Sequence, residues 1–268
     1  MSRDVRLRQL WAVFVLELRR LFRGRDGIGT ILFAAAPFVL SAVVVFIRGE
    51  SVAMGRLEKE FASLFQNLIL QVTLYFGCLF AFSGLVRGEQ MAKTLHHLFL
   101  SPVRREVIIL GKYLAALAST SVLFGGFSAL SYLVLLSGAG KSAALSHLAS
   151  GGAARLVAYV LVTTLACAGY GAVFLVFGQW AKNPIFPALA FWGWEHLNFL
   201  LPEVLKRLGL IHYLLSLSPV TVNEGFLAVI GEPVPAWAAV PAPLFLATAL
   251  LALAGWKVRR MEVDYGVE

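Results

Sequence analysis

Charge is scarce in this chain and cysteine nearly absent. Of 268 residues, 14% are charged and 59% hydrophobic. No polar tract is long enough to bury a core of its own, which excludes a separate soluble domain. The two cysteines, Cys78 and Cys167, have no CxxC neighbour and no nearby histidine, and both lie in apolar runs. That argues against a disulfide framework or a zinc site and leaves them as small hydrophobes. There is no GxxxxGK[ST] phosphate loop, no HExxH, no GxSxG and no paired-aspartate motif. The chain is therefore expected to be no enzyme, with no catalytic residues, cofactor or metal of its own. Its net charge of +8 has no soluble fold on which to form a basic face, so nucleic acid is not an expected partner.

What the chain does have is long apolar runs. Residues 27–47, 61–86, 113–140, 156–181 and 233–256 contain no Asp, Glu, Lys or Arg. Each exceeds the ~20 apolar residues that cross a bilayer core. A sixth run, 183–201, is interrupted by Glu195 and His196. The expected fold is all-α, a multi-pass membrane protein with six transmembrane helices in one domain over residues 1–268. With both termini cytoplasmic, the inner segments hold sixteen Lys and Arg against seven on the outer ones. This follows the positive-inside bias and accounts for the net positive charge.

Residues 4–22 precede the first span. Leu7, Leu10, Trp11, Phe14, Leu18, Leu21 and Phe22 recur every three or four positions, with Arg6, Arg8, Glu17, Arg19 and Arg20 on the other faces. The periodicity predicts a basic amphipathic helix within residues 1–26, lying in the inner interface of the lipid. It fits a simple lipid anchor and equally an elbow that also lines a partner-binding surface. Gly24 and Gly27 allow the chain to turn into the membrane. The charges that break the apolar stretch are not the pattern of a cleavable leader.

The most charged interruption is residues 87–112, RGEQMAKTLHHLFLSPVRREVIILGK. Within it, residues 91–100 place Met91, Leu95, Leu98 and Phe99 at helical spacing for one face, and Pro102 disfavours helix at Ser101. The stretch reads as a surface helix hung between the second and third spans and shaped to touch something outside the lipid. Binding of anionic headgroups through its basic residues is the blander reading.

Polar side chains inside the spans are few. Pro37 is expected to kink the first. Gln66, Asn67 and Gln71 lie in the outer half of the second, where Asn67 and Gln71, four apart, are expected to share a helix face. These amides fit either interhelical hydrogen bonds or the lining of a transport pathway. Ser119, Ser121, Gly125, Gly126 and Ser128 in the third span, and Gly169, Gly171 and Gly178 in the fourth, predict close helix packing. In residues 183–201, Glu195 and His196 stand beside Trp192 and Trp194. An ionisable pair at depth is a candidate for substrate or ion contact, unless the span ends early and the pair lies at the outer interface. Successive helix residues are ~100° apart, so Glu195 and His196 cannot share a face. Residues 202–232 are too polar to span and too apolar for a plain loop. They read as two short helices around Pro219 that dip into the membrane from the outer side.

This organisation resembles the permease subunits of type-2 ABC exporters. The residues that carry the resemblance are Glu89, Thr94, Leu95, Leu98, Ser101, Pro102, Gly111 and Lys112. They match a family pattern of an acidic residue, Gly-Thr-Leu, Leu-Leu-x-Ser-Pro and a Gly-Lys at the next span. Lys93 stands where the family often has Gly, and His96 where it often has Glu. The elbow helix, six spans and reentrant outer helices before the last span also match. The resemblance implies that residues 91–100 form a coupling helix docking on a separate ABC ATPase subunit, with residues 87–112 as the cytoplasmic coupling loop. Leu95, Leu98 and Phe99 would supply apolar contact, with Glu89 and Arg104 or Arg105 anchoring the rim. It further implies a homodimer in the inner (cytoplasmic) membrane, with ATP and Mg bound by the partner ATPase. Gln66, Asn67, Gln71, Trp194, Glu195 and His196 are the candidate pathway residues. A stand-alone proton-coupled secondary transporter using Glu195 is the alternative; such proteins often show inverted repeats, and none is evident here.

Overall fold

A computed structural model describes residues 9–18, 25–49, 52–91, 105–196, 209–220, 222 and 234–260. Among these, ordered elements are helical and no strand occurs. In chain order the helices are α1 (Gln9–Leu18), α2 (Arg25–Arg48), α3 (Met54–Ser63), α4 (Tyr75–Met91), α5 (Arg105–Ser137), α6 (Lys141–His147), α7 (Ala153–Trp180), α8 (Ile185–His196), α9 (Leu210–Ser216), α10 (Ala236–Ala239) and α11 (Pro241–Arg260). Wide, π-type turns over Leu64–Leu74 join α3 to α4, and a shorter set over Leu148–Gly152 joins α6 to α7.

Five helical segments are long and apolar enough to cross a membrane: Gly27–Arg48, Met54–Leu85, Arg105–Ser137, Lys141–Trp180 and Ala236–Arg260. They fall on the five uninterrupted apolar runs, as a membrane-embedded protein requires. The sixth run is different. Its described helix, α8, has 12 residues, about 18 Å at 1.5 Å per residue, and a hydrocarbon core is ~30 Å thick. Residues 197–208 and most of 221–233 lie outside the described residues, as do residues 92–100 of the 91–100 helix expected from sequence; Met91 closes α4. α2 continues through Pro37, and the Ser41 hydroxyl bonds back to the Pro37 carbonyl at 2.8 Å.

The second and fourth long segments form the centre. Phe61, Phe65, Tyr132 and Tyr159 cluster at one end, with Phe61 4.9 Å from both tyrosine rings. Tyr75, Tyr170 and Phe174 pack midway, the Tyr75 and Phe174 centroids 4.9 Å apart and edge-on. Small residues permit this approach, as their spacing predicts. A Cβ on Gly178 would stand 2.3 Å from the Ser83 carbonyl oxygen, and one on Gly171 would stand 2.5 Å from the Phe82 ring. Cys78 and Cys167 are fully buried and unbridged in the same core. α2 and α11 are peripheral and leave Val39, Val43, Phe46, Phe245 and Leu253 exposed. That is the surface lipid tails would cover, since they solvate apolar side chains at no cost.

Charged pairs collect at the two ends of the bundle. At one, Glu60 pairs with Arg48 (2.6 Å) and Arg56 (3.0 Å), and Glu58 with His147 (2.9 Å) and Arg155. At the other, Glu106 pairs with Arg259, and Lys257 donates to the Gln179 carbonyl at 2.7 Å while lying 4.5 Å over the Trp180 ring. α1 packs at this second end and turns Trp11 of its apolar face away from the bundle, as a helix lying in the lipid interface would. Glu17 is buried against Lys112, and Trp11, stacked on Phe14, points outward.

Candidate functional site

The polar side chains singled out in the sequence meet on one side of the π-type turns. The segment Leu64–Leu74 carries three of these amides, and its widened turns bond from i to i+5. Gln66 and Gln71 are both buried, Gln66 against the chain that follows α9 and Gln71 against α8. Asn67, four residues before Gln71, donates to Ser63 O at 3.0 Å within its own helix.

α8 runs antiparallel to this segment. Tyr75 donates to Ala188 O at 2.7 Å, and one turn further the Trp192 indole donates to Gln71 O at 2.9 Å. His196 then reaches the Gln71 side chain, its Nε2 2.7 Å from Oε1 and its Nδ1 2.7 Å from Trp192 O. A neutral ring satisfies both contacts when the Gln71 amide presents its NH2 to Nε2. Glu195, on the adjoining face, turns the other way, toward Tyr170 of α7. The Tyr170 hydroxyl donates to Oε2 at 2.8 Å, and the Ile211 N–H donates to Oε1 at 3.1 Å. Glu195 is 2% exposed.

These bonds explain how a segment too polar to span is held. α9 begins after Gly209, which has no side chain to cap it. The first turn of a helix leaves N–H groups without intrahelical partners, and Glu195 supplies an acceptor from another element. The chain therefore leaves α8 at His196 and is back beside Glu195 by Ile211. Gln66 fastens the far end of the same segment, donating to Ser218 Oγ (3.3 Å) and Val220 O (2.6 Å) and accepting from Val222 N–H (3.2 Å). Val234 N–H returns to Ser216 Oγ at 3.1 Å. The chain from Leu210 to Val220 thus docks against the wide turns and α8, within the stretch 202–232 expected to fold back on the outer side.

Gln66, Gln71, Glu195 and His196 are brought together, and all four are engaged in bonds between elements. Trp194 is on the outer side of α8 and 37% exposed. Sequence reasoning missed Tyr170 and Tyr75, the hydroxyl partners in this network. The signal was there in part, since a tyrosine buried between Gly169 and Gly171 needs a partner for its O–H. Of the residues expected to contact an ATPase, Thr94, Leu95, Leu98, Phe99, Ser101, Pro102 and Arg104 lie outside the described residues, and Glu89 is described only as part of α4. Arg105 is placed: its guanidinium approaches the carbonyls of Val258 (3.4 Å) and Arg259 (3.5 Å), in the last turn of α11. No metal-binding cluster of His, Cys, Asp and Glu occurs among the described residues. Compared with known proteins, the chain matches no family model and no curated protein sequence.

Proposed function

We propose that this chain is the transmembrane subunit of a type-2 ABC exporter, acting as a homodimer in the inner (cytoplasmic) membrane with both termini cytoplasmic. The observation that carries the reading is the loop motif from Glu89 through Thr94-Leu95, Leu98 and Ser101-Pro102 to Gly111-Lys112, between the second and third long apolar helices. Two structural features support it. α1 packs at the end of the bundle from which that loop emerges, and the segment after α8 folds back before the last long helix.

In this reading α8 and its continuation form the fifth of six crossings. Residues 91–100 dock on a separate ATPase through Leu95, Leu98 and Phe99. ATP and Mg sit in the partner, so the loop is the route by which nucleotide-driven closure reaches the spans. Tagged chain purified in mild detergent is expected to bring down a Walker-motif ATPase, two copies of each per complex. A chain that is reproducibly alone overturns the proposal. It would turn attention to a proton-coupled transporter, a reading favoured by the burial of Glu195.

A further inference from the structure

A buried ion pair stands at the base of the loop between α4 and α5. Lys112, about two turns into α5, donates from Nζ to Glu17 Oε2 and to Leu85 O, each at 3.3 Å. The two side chains are only 3% and 4% exposed. Gly111 beside it makes room for α1: a Cβ there would come within 2.9 Å of Val13 Cγ1 and 3.4 Å of the Leu10 carbonyl oxygen. Val13 and Glu17 are one turn apart, so they form the inward face of α1. Trp11 and Leu16 look outward, 65% and 67% exposed. One ammonium group thus joins the amphipathic helix, the end of the second long segment and the start of the third.

Stability alone is a poor reason for this arrangement. Removing two charges from water is costly, and apolar residues of similar volume often serve as well. What the pair adds is direction. A hydrogen-bonded ion pair at this depth holds the elements that carry it in one arrangement, and breaking such a pair is strongly destabilising. Leu85 and Lys112 also flank the loop that would contact the ATPase.

We propose that Glu17 and Lys112 are positioning residues of the coupling machinery. They clamp α1 to both flanks of the loop, so that a push on the loop moves α1 and the two spans as one body. The inference rests on the reading of the chain as an ATPase-coupled permease. It gives α1 a mechanical role besides that of a lipid anchor.

The test uses the complex of the full chain with its co-purified ATPase in phospholipid vesicles, comparing wild type, Glu17→Gln, Lys112→Gln and the swap Glu17→Lys/Lys112→Glu. The single variants are expected to assemble normally and to keep the KM for ATP, because the nucleotide site lies in the partner. Their kcat is expected to fall about fivefold, the equivalent of ~1 kcal/mol in the activation barrier. The swap restores the pair between α1 and α5 but not the bond to Leu85 O, and is expected to recover part of it. Single variants that assemble and turn over at the wild-type kcat overturn the inference while leaving the permease reading intact. If a single variant fails to assemble, the swap decides. An assembled swap that recovers a clear part of the wild-type rate supports the joint; one that recovers none, or does not assemble, reduces the pair to a structural clasp and overturns it. A wild-type chain with no ATPase overturns the permease reading itself, and this inference with it.

Discussion

Tyr170 and Glu195 are joined by a 2.8 Å hydrogen bond between α7 and α8, and the other oxygen of the same carboxylate receives the Ile211 N–H of α9. One buried side chain therefore ties three elements together.

Removing that carboxylate strands two donors. Glu195→Ala is expected to cost about 1–3 kcal/mol for each buried group left unpaired. Glu195→Gln keeps an acceptor for Ile211 and lets the Tyr170 hydroxyl turn to accept from the amide. Thermal unfolding in detergent should rank wild type highest, Gln next and Ala lowest. An Ala variant with the wild-type midpoint would show that the network does not hold the segment.

Gln66 should control the ordering of the chain around Ser218, Val220 and Val222. Gln66→Leu removes the acceptor of the Val222 N–H and the donor to Val220 O. Hydrogen exchange at Val222 is expected to speed up about tenfold, the equivalent of ~1.4 kcal/mol of lost protection. Asn67→Leu, whose amide bonds within its own helix, should leave Val222 as it was. Equal effects from both substitutions would contradict the assignment.

Close backbone contact makes Gly178 sensitive to a single methyl. Gly178→Ala pushes a Cβ against Ser83 main-chain atoms, which cannot swing aside, and overpacking of that kind costs about 1–3 kcal/mol. Gly193→Ala meets nothing within 4 Å and should be tolerated. The comparison is read from folded yield and unfolding midpoint, and indistinguishable variants would count against the packing described.

The proposed function predicts a charge-sensitive apolar contact in the loop. Leu98→Asp or Phe99→Asp should leave insertion intact and abolish the stimulation of the partner ATPase, because a carboxylate would be forced into a desolvated interface. Normal coupling in either variant would sink the assignment of residues 91–100.

Much of the architecture was legible in residue order alone. A run without charge over 20 or more residues has few physical solutions other than a spanning helix, and five such runs became five long helices. Glycine spacing in the fourth span announced its close packing for a similarly local reason: only a missing side chain admits a neighbour's backbone. The neighbour relation of Glu195 and His196 also forced them onto different faces, and the structure has them bonding to different helices.

The partners of these polar residues were decided by tertiary structure. Periodicity places an amide on a face but does not name its partner: Gln66 bonds to the chain at Ser218–Val222, Gln71 to His196, and Asn67 to Ser63 of its own helix. Amphipathic counting likewise put Glu17 on the polar side of α1, whereas an opposite charge 95 residues away, at Lys112, drew it inward. Hydrophobic period reports how a segment meets an average solvent or lipid. It carries no information about which distant group will satisfy a buried donor or charge, and in this chain those distant groups hold the amphipathic helix and the segment after α8 in place.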